Sequence, residues 1–246
     1  MANILDRYGI KEVADVTFYE LGNDGKPGAP VLFLDTLKVS TIEQTAENAE
    51  ARGGKGNAAL ISWDYGKEIT VTLEDALYSA KSLAMMFGDV DNAGRPAPAV
   101  ESTSLYKTVR YNSDMKISDG SLNVEVNGTS IPLTSCVMYD VNGNSTTDSA
   151  SAAYVTGVFA PTAAMVIDVS ANAFPGNYYI TGDTYARSEI TGRDEFFQFI
   201  IQKAKVMSES NTITLEAEGD PTVFTMSLKV LRPADGVMMK LVQYSV

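Results

Sequence analysis

At Thr72 the hydrophobic period of this chain changes, and no other feature narrows its fold as much. Up to that point Ile69, Val71 and Leu73 alternate with Thr70 and Thr72, the period of a strand with one apolar face and one hydroxyl-bearing face. From there Leu73, Ala76, Leu77, Ala80, Leu83, Ala84 and Phe87 follow i, i+3, i+4 spacing, which predicts a helix of about four turns with one apolar stripe. Thr72 stands where a hydroxyl caps the first free N–H groups, and Glu74 and Asp75 fall at the positive end of the macrodipole. Gly88 stands where a left-handed residue closes the last turn. The stripe reads as a core-facing surface. Little else in the chain has helical spacing, so this core helix is expected to plug one face of a sheet.

The remaining text is strand and turn. Val13, Val16 and Phe18 mark an early strand, and Leu21 to Pro30, LGNDGKPGAP, is dense in turn formers. Val31 to Leu34, with Leu37 and Val39, suggests another strand, while Thr41 to Glu50, TIEQTAENAE, is compatible with helix or extended chain. Ala58 to Trp63 reads as the strand that enters the central stretch. Between Ser104 and Gly182, residues rich in Val, Thr, Ser and Tyr are divided by turn signals at Asp119-Gly120, Asn127-Gly128, Asn142-Gly143 and Pro175-Gly176. The last quarter reads as a four-strand meander over Glu195 to Met207, Thr212 to Glu218, Val223 to Leu231 and Val237 to Val246. In its second strand Thr212, Thr214, Glu216 and Glu218 alternate with Ile213, Leu215 and Ala217, giving one polar, acidic face. The expected class is mainly β: a sandwich or barrel of antiparallel sheets flanked by one α-helix. Residues 1–246 are expected to form one domain, with a β-rich insertion lobe at about 109–173.

Charge and residue usage exclude several kinds of chemistry. Thirty-one acidic against 19 basic residues give a net charge of −12, which argues against a surface built to grip phosphate backbones. Histidine is absent, which removes the commonest general base and the commonest transition-metal ligand. Cys136 is the single cysteine, so neither an internal disulfide nor a thiolate metal cluster can form. Residues 1–9 lack a basic region followed by an apolar core, and no apolar run approaches the roughly 20 residues that span a bilayer. Synthesis in the cytoplasm, away from any membrane, is the expectation.

Three stretches invite a ligand and fail its pattern. In Ala51 to Asn57, ARGGKGN, Gly56 follows Lys55 where a phosphate-binding loop needs Ser or Thr, so Gly53, Gly54, Lys55, Gly56 and Asn57 read as an assembly-contacting loop. Asp89, Asp91 and Gly94 fall at calcium-loop positions, but Ala93 and Val100 stand where ligands are required. Asp140, Asn142, Asn144 and Asp148 lack the turn glycine and the closing Glu. No catalytic, cofactor-binding or metal-binding residue is therefore assigned.

Four segments then carry a resemblance: ARGGKGN from Ala51, ISWDYGKEITVTLEDALYSAKSLAMMFG from Ile61, FPGNYYITGDTYARSEITGRDEFFQFIIQKAKV from Phe174 and AEGDPTVFTMSLKVLRPADG from Ala217. They resemble the tail tube, or major tail, structural proteins of tailed bacteriophages. The resemblance covers the N-terminal and C-terminal thirds and leaves residues 103–164 unaccounted for. It implies a tail-tube fold whose copies form hexameric rings, stacked into a hollow tube through which DNA leaves the virion. It also implies a virion structural protein rather than an enzyme, with copies of itself, tape measure, baseplate and sheath proteins as partners. The candidate lumen or interface face is then Thr212, Thr214, Glu216 and Glu218, and the loops at Leu21 to Pro30, Ala51 to Asn57 and Asp89 to Pro98 are candidate contacts between rings. Two alternatives stand beside it. One is a baseplate, tail-completion or decoration protein on the same fold. The other is a carbohydrate-active or carbohydrate-binding module using Asp183 with Glu189 or Asp194 with Glu195, and Trp63, Tyr178 and Tyr179 as stacking surfaces.

Overall fold

The computed structural model describes residues 7–209, 211–213 and 222–244. The chain divides into two compact units, one of residues 1–98 and 167–246 and one of Ala99–Val166. The first unit opens with β1 (Tyr8–Ile10), β2 (Asp15–Leu21), β3 (Pro27–Leu34), β4 (Leu37–Gly53), β5 (Ala58–Asp75) and α1 (Ala80–Phe87). The second unit holds β6 (Ala99–Glu101), β7 (Leu105–Arg110), β8 (Leu122–Val126), β9 (Thr129–Tyr139), β10 (Ser145–Thr146), β11 (Tyr154–Phe159) and β12 (Ala164–Val166). The first resumes with β13 (Asn177–Ser188), β14 (Asp194–Val206), β15 (Thr212–Ile213), β16 (Phe224–Val230) and β17 (Met239–Tyr244). The fold is mainly β, with antiparallel sheets and one α-helix among the described residues.

In the first unit the order is β3-β2-β13-β14-β16-β5-β4, with β1 on β13, β15 on β16 and β17 on β14. Strand periodicity sets what faces inward. Along β13 every second residue from Tyr178 to Ser188 is buried, which puts Tyr178 and Ile180 against Val16 and Phe18 of β2 and Phe199 and Ile201 of β14. Gly182 belongs to this row and lies directly opposite Phe199. A Cβ there would meet the Phe199 ring at 2.1 Å, so the glycine is the space the ring occupies. The inward rows of β2, β3, β5, β13, β14 and β16 meet in one core with Met85 and Met86 of α1.

The helix corrects the sequence expectation at its start. Leu73 is buried in β5, opposite Met226 on one side and Ser40 on the other, and Thr72 is likewise paired on both sides. A ladder on both edges outweighs the local helical spacing, since a single helical stripe gains nothing until packed. The strand therefore continues to Asp75, and Ala76 and Leu77 form the turn, Leu77 being 63% exposed. Ala80, Leu83, Ala84 and Phe87 do lie on the helix, of two turns rather than four. Its N-cap is Ser79, not Thr72. The Ser82 amide donates to Ser79 Oγ at 3.1 Å and the Ser79 amide to Ser82 Oγ at 2.8 Å, a reciprocal capping box. Gly88 closes the C-terminus at φ 81°, where a Cβ would come 2.9 Å from the Ala173 carbonyl oxygen.

The last quarter is not a meander. One side of β14 is shared: Phe196 to Ile201 pair with β17, and Ala204 to Val206 pair with β16. The fourth strand thus returns to the first rather than to the third. Thr41 to Glu50, open in the sequence reading, is strand, the middle of a β4–β5 hairpin whose members run 17 and 18 residues. At Leu21 to Pro30 the turn itself is only residues 22–26, joining β2 to β3.

The second unit has its own core of Leu122, Val124, Leu133 and Val155 between the β8–β9 hairpin and the β10-β9-β11-β7 sheet. Asn127 and Gly128, at φ 49° and 77°, make the two-residue turn between β8 and β9 that their sequence signals. Its boundaries, Ala99–Val166, fall earlier at both ends than the lobe expected at about 109–173. β6 and β12 pair antiparallel, so the unit enters and leaves its surroundings through one two-stranded ribbon.

Candidate assembly surfaces

The β4–β5 hairpin begins inside the core and leaves it. Ile69, Val71 and Leu73 are buried, but from Thr41 to Glu68 every residue is exposed except Ala51 and Gly53, which are half-buried. A ladder from Glu43 to Gly53 rises roughly 35 Å at 3.3 Å per residue. Pairing assigns its two faces. Glu47 lies opposite Tyr65, Ala49 opposite Trp63 and Ala51 opposite Ile61, so three large side chains stand on one face, two of them over alanines and Tyr65 over a carboxylate. Ile61, Trp63 and Tyr65 are 54%, 54% and 53% exposed. The other face pairs Asn48 with Asp64 and Glu50 with Ser62. Asn48 Nδ2 donates to Asp64 Oδ1 at 3.0 Å and also to Ser62 Oγ, and Arg52 Nη2 binds Glu50 Oε2 at 2.5 Å. A closed polar network on one side and an uncovered apolar stripe on the other is the signature of a ribbon with a partner. At its root Gly66, φ 63°, forms a bulge opposite the step from Thr45 to Glu47, and bulges increase local twist.

The predicted loop at Ala51 to Asn57 is the tip of this arm. Gly53 ends β4, and Gly54, Lys55, Gly56 and Asn57 turn the chain, with left-handed backbones at Gly54, Gly56 and Asn57. Among the described residues none outside the hairpin lies within 4 Å of a Cβ built on Gly54 or Gly56. Of the predicted polar face only Thr212 is described; it is exposed, opposite Thr225. Thr214, Glu216 and Glu218 lie outside the described residues.

A second surface is the outer edge of β17, which among the described residues pairs with β14 alone. Its described residues contain no proline and one charge, Lys240, while Leu241, Val242 and Tyr244 are 59%, 36% and 41% exposed. By contrast the β3 edge carries Pro27 and Pro30, which cannot donate to an added strand. Inward from the β17 edge, Tyr244, Phe196 and Tyr185 form a continuous aromatic row across three strands, with ring centroids 5.3 and 5.4 Å apart.

The residues considered for carbohydrate chemistry are not assembled for it. Asp183 accepts from Gln198 Nε2 at 2.7 Å, Glu195 from Gln243 Nε2 at 2.6 Å, and Glu189 lies 3.8 Å from Arg7. Asp194 is bound by Arg187 Nε and Nη2 at 2.6 and 2.7 Å, which holds its carboxyl below the usual range and ionised, the wrong direction for a proton donor. Tyr178 is buried with its hydroxyl donating to the Gly94 carbonyl at 2.7 Å, and burial pushes its phenol up to about 12. The loop acids are turn formers. Asp91 accepts from the Arg95 and Ala93 amides and Asp140 from the Asn144 and Asn142 amides, which lowers both carboxyls. Among the described residues no three His, Cys, Asp or Glu side chains gather as a metal site, and no helix is long and apolar enough to cross a membrane.

What the sequence reading missed here is the arm. Its signal was present as the alternation of Ile61, Trp63 and Tyr65 with Ser62 and Asp64, but the partner strand is mostly polar and shows no matching stripe.

Comparison with curated proteins finds no match. The YomU/Tube protein family matches residues 8–243, a span that holds the arm, the whole second unit and nearly all of the first. Over nearly its whole length, therefore, this chain belongs to the YomU/Tube protein family, a family of phage-derived tube structural proteins.

Proposed function

We propose that this protein is the subunit of a phage tail tube, joining head to tail into hexameric rings that stack as a conduit for DNA. The observation that carries the reading is the arm. A two-stranded ribbon is marginal alone in water, and its exposed Trp63 stripe gains a partner only from another molecule. In a homopolymer that molecule is a second copy. The unguarded β17 edge supports closure of the ring, because a strand of the neighbouring copy would satisfy its free N–H and C=O groups. The charge of −12 suits the wall of a conduit, where phosphates must slide rather than bind.

In this reading the arm tip, Gly53 to Asn57, reaches the next ring, and the protein works in the virion tail after synthesis in the host cytoplasm. Tape measure, baseplate and sheath proteins would meet the finished tube, and no step requires catalysis. Electron microscopy of the purified chain across a concentration series tests it, with emission from Trp63, the single tryptophan, recorded alongside. Tubes or six-fold rings together with a blue shift are expected. A protein that stays monomeric at every concentration and salt, with unshifted emission, would count against the reading.

A further inference from the structure

Resting on the reading of the β4–β5 hairpin as a self-association arm, we propose that its apolar face docks in one particular groove of a second copy. That groove is lined by Phe174, Met207, Leu231, Lys205, Lys229, Ser208 and Glu209, and its volume is about 460 Å³. Glu47 of the arm meets Lys205 there.

The arm dictates what its receptor must offer. Its apolar face presents Ile61, Trp63 and Tyr65 over Ala49 and Ala51, with a single carboxylate, Glu47, at the root end. The receptor must be concave, largely apolar and supplied with a cation not already committed. Two other grooves of the first unit are less apolar. The one beside Tyr185 has no other large apolar side chain and is otherwise lined by Gly9, Lys11, Glu12, Arg187 and Asp194. The one beside Pro30 and Pro96 has only Ala29 and Val31 as further apolar residues, with Glu20, Lys81 and Arg95 around them.

The groove at Phe174 meets the requirement. Phe174 is 60% exposed, and Met207 and Leu231 are half-buried next to it. Lys205 and Lys229 stand directly opposite each other on β14 and β16. Like charges in that position repel. Lys229 is neutralised by Glu68 at 2.8 Å, whereas Lys205 has no ion pair among the described residues. A carboxylate arriving from outside completes the pairing.

The occupant is another copy, because the arm cannot enter its own groove. Lys229 pairs with Thr70 on β5, and Trp63 lies seven residues further along the same unbroken strand. At 3.3 Å per residue that separates the indole from the groove by roughly 23 Å.

A charge-exchange cycle on the full chain tests this. The concentration at half-association is read by sedimentation and by Trp63 emission for the wild type, Glu47→Lys, Lys205→Glu and the double variant. Each single change is expected to raise the midpoint about tenfold, and the double variant to return within about threefold of wild type. Phe174→Ala, which leaves the core untouched, is expected to raise the midpoint as well. Single effects that simply multiply in the double variant, or singles without effect, overturn the groove assignment. Trp63→Ala separates the two levels. If it weakens association while the cycle shows no coupling, the arm stands and the groove is wrong; if it leaves association unchanged, both fall.

Discussion

Gly182 and Tyr178 show what single positions contribute to the body. Gly182 is occupied, in effect, by the ring of Phe199 from the opposite strand, so Gly182→Ala drives a methyl group into an aromatic face. Overpacking of this kind costs about 1–3 kcal/mol, and the cost should appear as a lowered denaturation midpoint. Phe199→Leu in the Gly182→Ala background should recover part of it; no recovery would mean that the glycine serves the backbone instead. Tyr178 ties the loop after α1 to β13 through its bond to Gly94. Its phenol is raised from 10.0 to about 12 by burial, so the native state holds a proton that the unfolded chain releases first. The contribution is complete below pH 10 and is lost as pH rises toward 12. Unfolding measured from pH 9 upward should therefore fall more steeply in the wild type than in Tyr178→Phe. Neither role was legible beforehand: a glycine among Thr and Asp residues looks like a bulge, and Tyr178 beside Tyr179 looks like a surface pair.

The junction of β5 and α1 depends on Asp75. Its carboxylate is 6% exposed and accepts from Thr36 Oγ1 at 2.5 Å and from the Leu77 amide at 3.2 Å. The β3–β4 corner and the turn into the helix are thus held by one side chain, and the Ala76 amide adds a bond to the Thr36 carbonyl at 3.2 Å. Asp75→Ala leaves the half-buried Thr36 hydroxyl and the Leu77 N–H without this acceptor, and is expected to cost about 1–3 kcal/mol, read by denaturant unfolding. Asp75→Asn, which still accepts, should cost less than half as much. The sequence placed Asp75 in a first helical turn, where its role would be electrostatic and minor. The pairing of β5 with both β4 and β16 moved it to a strand end and made it a structural acceptor.

The whole chain carries two cores. Because β6 and β12 pair, the ends of the second unit are adjacent, and replacing residues 99–166 by a short Gly-Ser turn should leave the first unit with its core complete. Cooperative unfolding and a retained Trp63 response to concentration are the expected outcomes for that deletion. Loss of folding would show that the first unit depends on the inserted one. Association of the full chain should also strengthen as ionic strength rises from about 10 to 150 mM, because copies with a charge of −12 repel one another over a Debye length that salt shortens. A nucleic-acid-binding surface would respond to salt in the opposite sense.

Local spacing and residue type alone established that this chain is mainly β, where most of its turns fall, and that no histidine or paired cysteine chemistry is available; one helix stands among the described residues. These follow from period and residue type, which act over a few residues. The start of the helix, the forked pairing of β14 and the boundaries of the second unit were settled by long-range ladders, because a strand paired on both edges is held by residues far away in sequence, as Thr72 is by Ser227, 155 positions on. The arm was settled in the same way. Nothing in TIEQTAENAE chooses strand over helix until Ala49 lies across from Trp63, and only then does a polar segment become the thin side of an apolar stripe that a second molecule must cover.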